Sequence, residues 1–515
     1  MRQVLMALMA TFLLMGCGND ILDTNPTDRY TQETFWSTPE NASAALIGCY
    51  SVLRNNGIYG GSATPLLEET ATPNAYNYDN TDGWNVIAAG TQTATNSAIT
   101  SSRWNDCYRG IGRCNTLISG IDKVSMPETQ KKRMKAEALF LRALYYSLLE
   151  MYYGGVPLIL TDPNPATQAN LPRNTRAEIV QQVLKDLEEA AAVLPVTYAI
   201  KNDVGRATKG AALALKARVL LFEASPLVNT ASDGAKWKQA ADAAKAVIDL
   251  PGTGYDLFPN YRTLFLPANE NSQECVFDVQ FKAPEQSTIF DAVGQQTNTN
   301  APLRSLVDAY LMKDGLPTDQ SPLYNPAKPY LNRDPRLYQT TVFPGDTFRG
   351  AVVTPTRFAI TGYGLKKYTV YDKEPNSLNI TQSETNYMVI RFADVLLMYA
   401  EAQNEALATP DESIYMAINR IRRRAGMPDL KGTKTKVEMR EIIRRERRIE
   451  LAGEGFYYTD IRRWKTAEQV LKGAIFTHDA KPIMTRTFNP TRDYWWPIPD
   501  TQRTLNPNLV QNDGY

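Results

Sequence analysis

Apolar residues recur at steps of three and four along most of the chain, and this period predicts nine helices, over 41–54, 103–120, 130–152, 176–194, 207–224, 235–250, 386–405, 412–424 and 436–452. The third shows it best. Met134, Leu139, Leu141, Leu144, Tyr145, Leu148, Leu149 and Tyr152 line one side, and Gly154-Gly155 with Pro157 end the pattern. The fifth and sixth put Ala at many inward positions, in ATKGAALALKARVLLFEA and WKQAADAAKAVIDL, and such small residues let helices approach closely and stack in pairs. The first eight helices make four pairs. Their starts do not recur at a fixed interval, so the repeat is degenerate and the fold class expected is mainly α.

Two stretches break the helical period. Between 251 and 385 Pro, Gly, Asn, Thr and Tyr are dense and only short extended runs such as 275–281 appear. A shorter break covers about 60–101, with EETATPNAYNYDNTDGWNVIAAG at its centre, and residues 466–515 are similarly irregular. Long loop-rich insertions in a helical chain usually carry function.

The first residues, MRQVLMALMATFLLMGC, combine an early Arg2, an apolar stretch from Val4 to Met15 and Gly16 just before Cys17, the arrangement of a secretory signal. LMGC resembles the lipobox of bacterial lipoproteins. Cleavage before Cys17 and lipidation of that residue are therefore expected, giving a signal peptide at 1–16, a tether at 17–40 and a single unit from 41 to 515. No later segment offers 18 uninterrupted apolar residues, so membrane attachment is expected through lipid alone.

Composition narrows the chemistry. Among 515 residues, 56 Lys and Arg balance 55 Asp and Glu, and 43% are hydrophobic, which sets aside disordered and nucleic-acid-coating classes. The only histidine is His478, so no site can use two or three imidazoles, and it reads as a surface residue in a loop. Cys49, Cys107, Cys114 and Cys275 lack the CxxC spacing of zinc or redox sites and read as small core residues. Asp79, Asn80 and Asp82 start a loose calcium-loop pattern, but its twelfth position is Gly90 where a bidentate Glu is required. No metal or cofactor is expected.

Eight separated segments resemble one family. They are the lipobox, RWNDCYRGIGRCNTLI, AEALFLRALYYSLLEMYYGGVPLI, GRATKGAALALKARVLLF, NYMVIRFADVLLMYAEAQNE, INRIRRRAGMP, IRRERRIELAGEGFYYTDIRRW and the ending YWWPIPDTQRTLNPNLVQNDGY. In order and nearly end to end, they resemble the SusD/RagB nutrient-uptake lipoproteins of Bacteroidetes outer membranes. The resemblance implies a SusD-like fold of four tetratricopeptide-like helix pairs with loop-rich, short-strand segments packed on one side. It also implies a SusC-like TonB-dependent transporter as partner, with this protein as a hinged lid on the extracellular face of the cell outer membrane. The implied ligand is an oligosaccharide or oligopeptide, and the implied role is binding without catalysis.

Sugars need flat apolar faces beside directional hydrogen-bonding groups, and peptides can use the same combination. Tyr76, Asn77, Tyr78, Asp79 and Trp84 supply it in the first loop-rich stretch, with no helical period to make them core. Phe290, with Gln295, Gln296, Asn298 and Asn300 after it, marks a second stretch. From Arg420 to Lys465, 15 Lys or Arg face 7 Asp or Glu, a local net of +8. Because the run alternates with Glu in helical register it reads as an ion-pair network, Glu441 pairing with Arg444 and Arg445, and no nucleic-acid partner is expected. Glu446 and Glu450 share the apolar side of this last helix, and Arg391, Arg422, Arg447 and Arg462 are their candidate partners. Paired carboxylates also define the alternative function, a surface glycoside hydrolase or lyase, although an i,i+4 pair points one way whereas glycosidase acids flank a sugar from two sides.

Overall fold

The computed structural model describes residues 32–370 and 379–515. Cys17, the signal segment and most of the tether lie outside the described residues. Eight long helices follow the apolar period: α1 (Pro39–Ser51), α2 (Ala98–Gly120), α3 (Glu128–Tyr153), α4 (Arg176–Val193), α5 (Lys209–Ala224), α6 (Gly234–Ile248), α7 (Phe392–Ala406) and α8 (Glu412–Arg424). Each packs on the next in chain order, so they stack as four pairs, and α9 (Lys436–Glu450) then lies against α7. This is the helix-rich arrangement of four pairs that the resemblance implies.

Local chemistry explains the boundaries. Thr175 with Glu178 and Thr435 with Glu438 form capping boxes that start α4 and α9. Gly154, at φ 76°, stops α3 with a turn that a β-carbon would strain. Small residues set the spacing inside the stack: a Cβ on Gly110 of α2 would come within 2.3 Å of the Tyr145 ring of α3. Cys49, Cys107 and Cys114 are buried free thiols, and Cys275 is a partly buried one.

One helix boundary departs from the apolar period. Residues 386–405 read as one helix, but Tyr387–Arg391 is a strand and the helix begins at Phe392. All five strand residues are buried, so neither face is polar and the run has no alternation to betray it. It pairs antiparallel with Cys275–Val279, which ties the long loop-rich segment back to the helix array. The short strands used below are β1 (Ala75–Tyr76), β2 (Cys275–Val279), β3 (Ala301–Pro302), β4 (Tyr387–Arg391), β5 (Gly473–Phe476) and β6 (Pro482–Arg486).

A buried ionic network joins that segment to α8 and α9. Arg391 donates to Glu274 at 2.7 Å, to Glu450 at 2.7 Å and to both oxygens of Glu454 at 2.7 and 2.8 Å. Arg336 donates to Glu446 at 2.6 Å, to Glu450 at 2.9 Å and to Asp334 at 2.7 Å. Arg424 pairs with Glu450 and with Glu274, Lys367 with Glu454, and Arg422 more loosely with Glu446 at 3.4 Å. Five basic side chains thus meet five carboxylates, which is what buried charge requires. Arg391 and Arg422 are the partners expected from the sequence. Arg447 instead holds Asp394 and Asp460, and Arg462 donates to the carbonyls of Met151 and Tyr494.

Candidate functional site

The two loop-rich stretches picked out by composition meet. β1 pairs antiparallel with β3, Ala75 opposite Pro302 and Tyr76 opposite Ala301, and the Leu303 amide donates to the Asn74 carbonyl at 2.8 Å. The Asn300 side-chain amide donates to the Leu66 carbonyl. From the other side Arg486, at the end of β6, is buried and donates to the carbonyls of Thr70, Thr72 and Ala75. Burial pulls its pKa down to about 10, with Tyr76 opposing the shift. The segment before Tyr76 is thus clamped between β3 and the β5–β6 hairpin, so the loop beyond it leaves from a fixed base.

That loop separates the candidate residues. Tyr78 is 44% exposed and Asp79 is exposed, while Tyr76 is partly buried. The Asp79 carboxylate accepts from the Thr81 amide at 2.9 Å and the Asn77 side-chain oxygen from the Asp79 amide at 3.1 Å, which folds the loop on itself. Among the described residues no cluster of three or more His, Cys, Asp or Glu could hold a metal ion.

Three expectations are corrected. Trp84 is 0% exposed and meets Trp496 and Tyr458 edge-on at 5.8 and 6.5 Å, with the Arg103 guanidinium over its ring. It begins a short helix, 84–89, that turns it into the core, so its face is closed to any ligand. Phe290 is also 0% exposed, boxed by Phe281, Tyr368 and Tyr387. Asn77 is 1% exposed, but its side-chain nitrogen has no acceptor.

A second amide shares that condition. Asn298, in the left-handed region at φ 51°, donates to the Tyr363 carbonyl at 3.3 Å, yet its side-chain oxygen is buried without a donor. The Gln295 and Gln296 side chains lie outside the described residues. Sequence reasoning missed Tyr363 altogether. It lies edge-on to His478, 6.1 Å between centroids, and the His478 amide donates to the Thr361 carbonyl, so the histidine is a packed residue of the β5–β6 turn and not a free surface one. The arrangement therefore offers an exposed aromatic face at Tyr78, a carboxylate at Asp79 and buried amides with hydrogen-bonding capacity unused.

Residues 269–515 match the SusD family, and residues 22–221 match the family described as "Starch-binding associating with outer membrane". The chain belongs to the SusD/RagB family. The SusD-like protein P25 of Formosa agariphila is 25% identical across 98% of this chain and 97% of its own length, and a SusD-like protein of Bacteroides ovatus is 26% identical across 90% and 83%. Among solved structures, a SusD-like carbohydrate binding protein of Bacteroides fragilis superposes with a TM-score of 0.83 at 29% identity, covering 93% of this chain and all of that one. A second SusD-like protein of the same species gives 0.80 at 28% identity over 96% of this chain.

In this SusD-family chain the paired carboxylates of α9 do not form an open acid–base site. Glu446 and Glu450 are buried, and guanidinium groups of Arg336, Arg391, Arg422 and Arg424 occupy them. Burial opposes the Glu450 charge, but Arg424, Arg391 and Arg336 outweigh it and hold that carboxyl well below the usual carboxylate range. A general acid needs the opposite shift and an open path to substrate. Within the fold these two residues are ion-pair partners.

Proposed function

We propose that this SusD-family protein is a surface glycan-binding subunit that takes an oligosaccharide on the loops carried by β1 and β3 and passes it to a SusC-like TonB-dependent transporter. Tyr78 stacks on a pyranose face, and the exposed Asp79 carboxylate accepts from hydroxyl groups. The β1–β3 pairing carries this reading, because it joins the two loop-rich stretches at one place and fixes the base of the loop that exposes Tyr78 and Asp79. The family description and the carbohydrate-binding relative at 29% identity support a sugar over a peptide. Lipid on Cys17 anchors the chain to the outer membrane, and the protein acts as a hinged lid on the extracellular face of the barrel. Ligand held across lid and barrel favours the closed state by its differential affinity for that state, with no chemistry in the lid.

Calorimetric titration against a panel of neutral and charged oligosaccharides and short peptides tests the assignment. Binding to a saccharide that Tyr78→Ala weakens, at unchanged thermal stability, is the expected result. Saccharide binding indifferent to Tyr78→Ala, or a preference for peptides across the panel, would overturn it.

A further inference from the structure

A groove of about 1050 Å³ runs from Pro73 and Leu303, immediately beside β1 and β3, to the outward face of α9. Its size is at the upper end of ordinary ligand pockets, roughly 300–1,000 Å³. One wall is arginine on aromatic rings. The Arg444 guanidinium lies over Trp464 at 4.9 Å, and that of Arg448 lies over Tyr457 at 5.0 Å. The rings are held in turn: the Trp464 indole nitrogen donates to Glu401 at 2.7 Å, which fixes the plate beneath Arg444. Stacking of this kind fixes the plane of a guanidinium and leaves its edge free to donate.

Arg444 and its neighbour Arg445 differ from the arginines of the buried network in being short of partners. Arg444 forms a loose ion pair with Glu441 at 3.7 Å, longer than a hydrogen bond, with Glu401 also acting on its charge, and the Arg444 Nε is buried without an acceptor. Arg445 is exposed and, among the described residues, has no hydrogen-bond or ion-pair partner, although the sequence spacing had paired it with Glu441. Arg448 is engaged, donating to Asn74 at 2.7 Å and to Ser305, which joins the groove wall to the chain just before β1. The acidic lining residues answer this charge only through the loose Glu441–Arg444 ion pair. Glu441 and Asp308 are more than half exposed, with Asp308 turned to Arg304 at 3.3 Å, and Asp319 is the remaining one.

We infer that this groove binds carboxylate or sulfate groups on the oligosaccharide, with the Arg444 and Arg445 donors as the anion-recognising pair, so that the ligand class is an acidic glycan. The inference rests on the glycan-binding reading and deepens it. Proximity carries it: Pro73 and Leu303 line the groove at one end of the β1–β3 pairing, and the loop bearing Tyr78 leaves from the other end, two residues along, so one chain lies on Tyr78 and reaches the arginines. A guanidinium held flat on the Trp464 ring, its terminal nitrogens making only the 3.7 Å contact to Glu441, suits the two oxygens of a carboxylate or sulfate, which take parallel donors.

The test titrates the purified full-length protein in detergent with tetragalacturonate, a sulfated tetrasaccharide and neutral maltotetraose, at low and at about 0.3 M salt, since a Debye length below 10 Å weakens exposed charge pairs. Arg445→Ala breaks no contact in the fold and is the primary variant; Arg444→Lys keeps the charge and removes the fork. The acidic ligands are expected to bind more tightly than maltotetraose and to lose about tenfold in affinity in each variant, with maltotetraose unaffected. The response to the two acidic ligands tells whether carboxylate or sulfate is preferred. Equal affinity for acidic and neutral tetrasaccharides, or acidic binding that survives Arg445→Ala and Arg444→Lys, overturns the inference while binding sensitive to Tyr78→Ala leaves the glycan-binding reading standing. Tighter binding of hexaglutamate than of either acidic saccharide also overturns it, in favour of an acidic protein segment. No binding of any saccharide overturns both.

Discussion

Replacing Glu450 by Gln removes a charge from the centre of the buried network while keeping the shape of the side chain. Glu450 accepts from Arg336, Arg391 and Arg424, and these keep Asp334, Glu446, Glu274 and Glu454 as their remaining acceptors. Losing one partner of a buried ion pair costs about 3–5 kcal/mol, because the opposite charge is left without compensation. The three contacts do not add, since each guanidinium has a second carboxylate, so the whole substitution belongs in that range. At about 2.1 cal/mol/K per residue, a chain of this length has an unfolding entropy of about 1 kcal/mol/K, and a loss of about 4 kcal/mol lowers Tm by about 4 °C. The pH dependence is the sharper half. A carboxyl held below its unfolded pKa of about 4.3 stabilises the fold fully above that pH, and the contribution is lost as pH falls toward the folded value. Differential scanning calorimetry of both proteins from pH 7 to pH 3 should therefore show a gap that is widest near neutrality and narrows below about pH 4.3. A Glu450→Gln protein within 1 °C of the parent at pH 7, or a gap constant down to pH 3, would refute the reasoning.

Other substitutions separate structure from recognition. Glu446→Ala leaves Arg336 and Arg422 partly unpaired and should also cost about 3–5 kcal/mol, with oligosaccharide affinity unchanged; a variant of parental stability that no longer binds would contradict this. Trp84→Ala removes a fully buried indole, worth about 3–5 kcal/mol, and should melt several degrees early, whereas Tyr78→Ala should stay within about 1 °C and lose ligand. Burial pushes the Glu69 carboxyl up to about 7, against hydrogen bonds from Asn74 and the Gly453 and Gly455 amides. A carboxyl raised in this way stabilises the fold below its unfolded pKa and stops doing so as pH passes 7. Glu69→Gln should thus gain on the parent by about 3 °C between pH 5 and pH 8, and parallel melting curves across that range would exclude the effect.

The helical stack was legible because eight amphipathic or Ala-rich stretches carry their own period, and the inward turn of Glu446 and Glu450 followed from counting residues along α9. Arg336 was not legible as their partner. It sits in the loop-rich segment, where no period relates a residue to a face, and only the folded chain brings it to α9. Trp84 failed for a related reason. A tryptophan between Asn, Asp and Gly in an irregular stretch looks like a ligand platform, and its burial depends on Trp496 and Tyr458, hundreds of residues away. The meeting of the two loop-rich stretches rests on a pairing only two residues long, too short to leave a strand signature. What composition did supply was the choice of those stretches as the places to look.

That two-residue pairing constrains how such a protein can be diversified or redesigned. The loop after Tyr76 and the loop before Ala301 are far apart in the chain but share one seam, in which Pro302 offers no amide and the Asn74 carbonyl is claimed by Leu303. Exchanging one loop with that of a relative places a foreign surface against a native one, and the Arg448–Asn74 bond carries any shift of the seam to the arginine groove. A new specificity is therefore best transplanted as a matched pair of loops with Ala75–Tyr76 and Ala301–Pro302 kept as the splice, leaving the helical stack untouched.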